Sequence, residues 1–116
     1  MREFDCLFCQ IVMGDRPGEV IHNDDQVIVI KDLNPQAPVH ALVLPRDHIE
    51  SINDASHRDE ALLGKLLRTA AKVANQLGVA EDGYRVVVNT GSHGGQTVPH
   101  LHLHLLGGRA MTWPPG

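Results

Sequence analysis

Three histidines alternate with leucines near the C-terminal end of the chain, at His100, His102 and His104. Successive side chains of a β-strand point to opposite faces, so the leucines would face a core and the imidazoles would share the other face. A buried imidazole needs a partner for each ring nitrogen, which makes three histidines a costly choice for packing alone. The pattern therefore predicts functional histidines, with an exposed, histidine-rich strand face as the alternative.

Strand geometry limits what these histidines can do together. Alternate residues lie about 6.6 Å apart along a strand, whereas zinc binds an imidazole nitrogen at about 2.0–2.1 Å. All three histidines would reach one ion only with strain, so we expect a division of labour. His102 is the candidate nucleophile, because a neutral imidazole, with an unperturbed pKa of about 6.5, is nucleophilic near pH 7.

A second candidate site is the pair Cys6 and Cys9, in a Cys-x-x-Cys spacing. As a redox pair it would be expected near a βαβ pattern, and none follows. As half of a zinc site it needs two more ligands. Two free cysteines on a first helix are the alternative, since a secreted disulfide framework would need more cysteines.

Composition narrows the partners and the location. The 116 residues carry a net charge of −4 with no block of like charges, which argues against nucleic acid or an anionic membrane as the main partner. No apolar run is long enough to span a bilayer, and no basic segment precedes an apolar stretch. We expect a cytoplasmic protein with a single domain over residues 1–116.

The elements that must position these residues follow from periodicity. Apolar residues at helical spacing predict a short helix over 4–14 and a long one over 57–77, capped by Ser56 and Gly78. Alternation and turn residues predict strands at Val20–His22, Val27–Lys31, His40–Leu44 and Tyr84–Asn89, and a fifth containing Leu101–Leu105. Short turns between strands predict an α+β fold with an antiparallel sheet.

The spacing His-x-His-x-His resembles the signature of the histidine triad (HIT) superfamily. The segments that extend the resemblance, in part to its Hint branch, are Asp32–His40, Leu42–His48, Gly83–Asn89, Gly94–Gln96 and Leu106–Gly116. The resemblance implies a five-stranded antiparallel sheet with one long and one short helix, and a homodimer across which the sheet extends.

The resemblance also implies chemistry at the α-phosphorus of a nucleotide. His102 would attack and form a covalent nucleotidyl-histidine that water cleaves, while the carbonyl of His100 orients the attacking ring. His40 and His104 would flank the phosphate. Thr97 would assist departure of an amine. Relatives of this kind are purine nucleoside phosphoramidases, which release a nucleoside monophosphate such as AMP or GMP.

Binding residues are implied by position in the same way. Gly95 and Gln96 would offer N–H or amide groups to the phosphate, and Asn89 would contact phosphate or ribose. Asp32 would accept hydrogen bonds from the ribose hydroxyls. The alternatives are an ordinary glycine-rich turn, a strand-terminal Asn and a turn-forming Asp. The apolar candidates for walls around the base are Phe8, Ile11, Ile30 and Leu33.

For the cysteine pair, a subset of the superfamily implies a zinc site. Its ligands here would be Cys6, Cys9, His48 and His100, which would hold one structural Zn²⁺ ion. Among the three triad histidines, His100 would then bind metal, His102 would attack and His104 would hold phosphate.

Two features leave the substrate open. Trp113, in a tail that resembles the Hint branch, would contact a leaving group in the partner subunit or simply anchor the terminus. Pro99 stands where many Hint relatives carry an aromatic residue, and it removes one donor from the strand start. The alternative functions are a diadenosine polyphosphate hydrolase of the Fhit type and a nucleotide-binding module with negligible turnover.

Overall fold

In the computed structural model, which describes residues 6–116, five antiparallel strands form one sheet in the order β1-β2-β3-β5-β4. The strands are β1 (Val20–Asn23), β2 (Val27–Lys31), β3 (Val39–Pro45), β4 (Tyr84–Val87) and β5 (Leu103–Gly107), and the helices are α1 (Leu7–Val12) and α2 (Glu60–Gln76). This confirms the predicted α+β sheet with one short and one long helix. Residue 4, where the first helix was predicted to begin, lies outside the described residues.

The two faces of the sheet are covered by different helices. Helix α2 packs its apolar stripe, including Leu66 and Val73, on one face. Helix α1 places Phe8 on the other face, against Ile30 and Leu42. Because β2 and β3 are buried on both faces, they are apolar apart from His40 and the exposed Lys31 at the end of β2.

Both ends of α2 confirm the predicted caps. Ser56 and Asp59 form a capping box on a 3₁₀ turn, His57–Asp59, that leads into the helix. Beyond the other end, Gly78 has a φ of +78°, a left-handed conformation that glycine adopts without steric cost. Within residues 6–116, no helix has both the length and the apolar character needed to cross a membrane.

The histidine-bearing strand begins later than the alternation suggested. The Leu101 N–H donates to the Ile49 carbonyl oxygen at 2.6 Å, and the His100 N–H donates to Val98 at 2.9 Å, so neither N–H joins the sheet. Pro99 has no N–H to offer. The ladder therefore starts at Leu103 and holds only His104 of the three histidines.

Candidate active site and metal cluster

The alternation of faces predicted for the histidine segment is confirmed. Leu101, Leu103 and Leu105 are buried in the core beneath α2. His100 and His102 are buried on the opposite side, where both rings lie edge-on to Phe8 of α1. The interpretation as an exposed strand face is therefore wrong.

Strand register brings His40 to His104. In the β3–β5 ladder His104 lies opposite Leu42, so His40, two residues earlier in β3, is its diagonal neighbour on the same face. His40 Nε2 and His104 Nδ1 are 2.9 Å apart. The His104 ring in turn lies 5.0 Å from the His102 ring, centroid to centroid. His40 of β3, His104 of β5 and His102, which immediately precedes β5, thus converge, although 62 residues separate His40 from His102.

The hydrogen bond of His102 determines which of its nitrogens is basic. Nδ1 of His102 lies 2.6 Å from the backbone carbonyl oxygen of His100. A carbonyl oxygen can only accept, so Nδ1 carries the proton and donates it. The neutral ring therefore has its lone pair on Nε2, as a nucleophilic imidazole requires.

Backbone geometry fixes the other two rings in the same way. The Gln36 N–H donates to His40 Nδ1 at 3.0 Å, so in the neutral ring the proton sits on His40 Nε2. That N–H donates to His104 Nδ1, which leaves the remaining proton of His104 on its Nε2. His104 lines the cleft described below. It therefore offers an N–H donor of the kind that binds a phosphate oxygen.

The two carboxylate oxygens of Asp32 contact different groups, one in the local turn and one in the histidine cluster. Its Oδ1 accepts the Asn34 N–H at 2.8 Å, which is the turn-forming role. Its Oδ2 lies 3.3 Å from His40 Nε2. The candidate ligand atoms of Asp32, His40 and His104 all lie within 4.8 Å of one another, close enough for a metal ion. The tautomer argues against one, because His40 Nε2 carries a proton and no lone pair.

Burial keeps the catalytic candidates neutral. The pKa of His104 is lowered to about 4, mainly by burial and also by the neighbouring His102 and His40, which repel a second positive charge. Burial also lowers the pKa of His102 and of His40, while the carboxylate of Asp32 opposes both shifts. At neutral pH the site therefore combines a free lone pair on His102 with N–H donors.

A cleft of about 360 Å³ opens beside these groups. Its polar lining includes Thr97, Asp32, His102 and His104. The apolar walls include the four residues proposed for the base, which are Phe8, Ile11, Ile30 and Leu33. The prediction did not include Arg16, Pro17, Gly18 and Lys31, which also line the cleft. Nothing in the local sequence pattern marks the first three, because the return of the chain after α1 brings them there, whereas Lys31 ends β2 between two predicted lining residues.

The glycine-rich loop uses its own polar groups internally. The Gly95 N–H donates to Ser92, and the Gln96 N–H donates to Gly91. The Gln96 side-chain amide donates to the carbonyls of Glu50 and Val98 and accepts the Gly91 N–H. Gln96 therefore fastens the loop to the segment that precedes His100, a role that the sequence did not reveal.

Substrate contacts by Gly95 and Gln96 stay a prediction, and so does a contact by Asn89. Asn89 lies two residues beyond the end of β4 and is not among the residues that line the cleft. Gly94 is the glycine of this loop at which a side chain would clash. A Cβ there would lie 2.3 Å from the Thr90 carbonyl oxygen.

The C-terminal tail packs on the same subunit's β4. The Arg85 guanidinium donates to the Thr112 carbonyl oxygen at 2.9 Å and stands 5.9 Å from the Trp113 ring centroid. The Trp113 side chain itself is 81% exposed. It does not line the cleft of its own chain.

The four proposed zinc ligands lie together. His100 Nδ1 is 3.3 Å from the Cys6 sulfur and 3.4 Å from the Cys9 sulfur, and His48 Nδ1 is 3.2 Å from the Cys9 sulfur. In a tetrahedral zinc site with bonds of about 2.3 Å to sulfur and 2.0–2.1 Å to nitrogen, sulfur–nitrogen edges are about 3.5 Å. The donor set and its spacing therefore fit a zinc ion.

Hydrogen bonds support this arrangement. His100 Nε2 lies 2.9 Å from the Pro45 carbonyl oxygen, so it is the protonated nitrogen and Nδ1 turns its lone pair to the sulfurs. The Leu101 N–H bond to Ile49 holds the two histidine-bearing segments side by side. The acceptor that fixes the His100 ring, at Pro45, and the acceptor that holds the two segments together, at Ile49, are backbone carbonyls, which residue types do not predict.

Comparison with known proteins agrees with this geometry. The family model described as the HIT domain matches residues 14–111. The chain belongs to the HIT family. Among solved structures, the HIT family hydrolase from Legionella pneumophila Philadelphia 1 is 50% identical with a TM-score of 0.94, over 96% of this chain and 99% of that one. The predicted HIT fold is therefore confirmed.

Two further members of the HIT family bear on the chemistry. The purine nucleoside phosphoramidase of Escherichia coli (strain K12) is 45% identical over 107 residues, which is 92% of this chain and 90% of that protein. A Zn-bound histidine triad family protein from Mycobacterium smegmatis has a TM-score of 0.79 and 32% identity, over 93% of this chain and 78% of that one.

We expect His104 to stay neutral far into the acid range, because its pKa is lowered to about 4. In an NMR titration of histidine-labelled protein, its ring signals should shift only below about pH 5, while free histidine in the same sample shifts near pH 6.5. The variant His104→Asn assigns the signals. A His104 signal that follows the free histidine would contradict the expectation.

The same shift gives a stability effect of defined sign. Between about pH 6.5 and pH 4 the unfolded chain binds a proton at this histidine that the folded protein does not, so the free energy of unfolding falls as the pH drops. The His104→Asn variant should show a smaller fall between pH 7 and pH 5 in urea titrations.

Proposed function

We propose that this HIT protein is a purine nucleoside phosphoramidase, which hydrolyses the P–N bond of a nucleoside 5′-phosphoramidate and releases a nucleoside monophosphate and an amine. The observation that carries the proposal is the 2.6 Å bond from His102 Nδ1 to the His100 carbonyl, which leaves Nε2 basic beside the cleft. The activity named for the Escherichia coli relative supports the choice of bond.

In the proposed first step, the lone pair of His102 Nε2 attacks the α-phosphorus. A nitrogen–phosphorus bond forms to the ring as the bond to the leaving amine breaks, and the amine nitrogen takes up a proton from solvent, which the attacking water of the second step returns. The resulting imidazolium keeps its Nδ1–H bond to the His100 carbonyl, which offsets the new positive charge. The Thr97 hydroxyl, which lines the cleft, is the proposed partner of the departing amine.

In the second step, water attacks the phosphorus and the bond to His102 breaks. The products are the monophosphate and the neutral ring, with the same tautomer as before. His104 Nε2–H and the donors around it stabilise the phosphoryl oxygens in both transition states, where negative charge is spread over them. Asp32 Oδ2, 3.3 Å from His40 Nε2, supports positive charge on the His40–His104 pair as phosphate binds.

A cleft with one polar and one apolar part suits a nucleotide. Asp32 lines the cleft within 3.3 Å of His40 and is followed by the apolar Leu33, so we place the ribose beside it. Hydrolysis of diadenosine polyphosphates and nucleotide binding without turnover are competing functions. No contact within residues 6–116 favours either of them over the phosphoramidase.

The variant His102→Ala should lose turnover of adenosine and guanosine phosphoramidates by at least about 10³-fold, or about 4 kcal/mol of barrier. It should still bind GMP in calorimetry, because the walls and His104 remain. Intact-protein mass spectrometry of the wild type, quenched in alkali during turnover because acid cleaves a histidine–phosphorus bond, should reveal an added nucleotidyl mass that is absent from the variant.

The matched control is His57→Ala, since that side chain is fully exposed on the turn before α2. It should behave like the wild type. Near-normal kcat in His102→Ala would remove the covalent mechanism. Faster cleavage of a diadenosine polyphosphate than of either phosphoramidate would favour the Fhit-type function, and binding without cleavage would favour the binding module.

We also propose that Cys6, Cys9, His48 and His100 hold one zinc ion. Two thiolates and two imidazoles complete a tetrahedral shell without an open position, so the ion would stabilise structure and not activate water. Its ligands would tie α1 to the segment after β3, which carries His48, and to the segment before β5, which carries His100. A cytoplasmic location belongs to the same proposal, because reduced cysteines such as these persist in a reducing compartment.

The double variant Cys6→Ser with Cys9→Ser should contain no zinc in elemental analysis and should melt at least about 5 °C lower, which for a domain of this size is about 1 kcal/mol. Some turnover should remain, because the His102 ring and its carbonyl partner are not ligands. Zinc-free purified protein whose melting temperature does not respond to a chelator would contradict the zinc site.

The homodimer stays part of the proposal. In the sheet of residues 6–116, β4 pairs only with β5 and so leaves one edge open, and an open edge is a ready site for a strand of a second copy. Light scattering at micromolar concentration should give twice the chain mass of 12.7 kDa. A mass that stays monomeric as the concentration rises would contradict it.

A further inference from the structure

The cleft carries a cation at the end of its apolar part. Phe8, at the start of α1, lies against His102, with 5.0 Å between ring centroids. Ile11 lies about 4.5 Å further along the helix axis, at 1.5 Å per residue. The chain returns over this end, where the Cβ position of Gly18 is 3.0 Å from Ile11. Arg16 belongs to this returning segment and lines the cleft together with Ile11 and Gly18.

The position of Arg16 is held by α1. Its Nε donates to the Gln10 side-chain oxygen at 2.7 Å, and its backbone N–H donates to the Gln10 carbonyl at 3.3 Å. The side-chain partner is a neutral amide, and no ion pair of Arg16 with a carboxylate is found within residues 6–116. Lys31, the other cation of the lining, lies 3.9 Å from a carboxylate oxygen of Glu19.

A guanidinium at this place distinguishes purines by their edges. It carries only donors, five N–H groups in a planar fork. Guanine presents two adjacent acceptors, O6 and N7, whereas adenine presents N7 beside an N6 amino group that also donates. Arginine can therefore bond guanine or hypoxanthine twice, but it meets a donor on adenine.

We infer that Arg16 makes this protein select 6-oxopurine nucleotides over adenine nucleotides. The inference rests on the proposed nucleotide hydrolase function. The phosphate lies at the histidines, the ribose at Asp32 and the base between the apolar walls, so that the 6-position of the purine points toward the guanidinium. The preference belongs to binding of the base, remote from the phosphorus, and it acts on KM more than on kcat.

The test compares guanosine, inosine and adenosine 5′-phosphoramidates. In the wild type, guanosine and inosine should have similar kcat/KM, and both should exceed adenosine about fivefold to tenfold, the low end of what a bidentate arginine–guanine contact provides. In Arg16→Met, which keeps the length of the side chain, the ratio of guanosine to adenosine should fall close to one through KM.

Two controls make the result specific. Arg58→Met removes an exposed arginine that is not part of the lining and should leave the ratio unchanged. Lys31→Met removes the other cation of the cleft. If the wild type shows no preference, if Arg16→Met retains it, or if Lys31→Met alone abolishes it, the inference is overturned.

A separate measurement distinguishes this inference from the proposed function. Calorimetric binding of GMP, IMP and AMP needs no turnover. If no phosphoramidate is cleaved while GMP and IMP bind more tightly than AMP in an Arg16-dependent manner, the hydrolase proposal fails and the selectivity stands. Equal binding of the three monophosphates in wild type and Arg16→Met overturns the selectivity, whatever the turnover.

Discussion

The hydrogen bond between the His102 ring and the His100 carbonyl is the constraint on which the site depends. It sets the proton on one nitrogen of His102 and the lone pair on the other. Its acceptor is the backbone of a residue whose own ring is held by Pro45 and turned toward two cysteine sulfurs. Any shift of that ring would move the carbonyl and with it the nucleophilic nitrogen.

A second series of hydrogen bonds runs from the other side of the cleft. It starts at the Gln36 N–H, passes through His40 and ends at His104. Both series begin at backbone groups, which cannot exchange their roles as donor or acceptor as a side chain can. Opposite tautomers of neighbouring histidines, one basic toward the cleft and one donating, are thus imposed by the fold.

The cleft and the metal cluster share helix α1. Its N-cap and first turn bring Cys6 and Cys9 to His100 and place Phe8 against His102, and Gln10 in its last turn supports Arg16. One helix of six residues therefore links the cysteine cluster, His102 and the lining residue Arg16. Such a short helix is marginal alone and depends on packing against the sheet.

The sequence by itself determined which face each residue takes. Alternation placed Leu101, Leu103 and Leu105 in the core and the histidines opposite, because a period of two allows no other arrangement in extended chain. The sequence also predicted strands β2 and β3 and the caps of α2, since each of these depends on residues that are close in the sequence. The ligand pair His48 and His100 came from family resemblance, as their separation of 52 residues carries no local signal.

Only the tertiary structure decided how distant backbone groups are used. The bond from Leu101 to Ile49 delays the start of β5, and the internal bonds of Gly95 and Gln96 commit groups that had been assigned to phosphate. Arg16 enters the cleft because the chain folds back over α1, and Gln36 meets His40 because a turn closes there. Residue types state what a side chain can donate or accept, but the path of the whole chain determines which partner it meets.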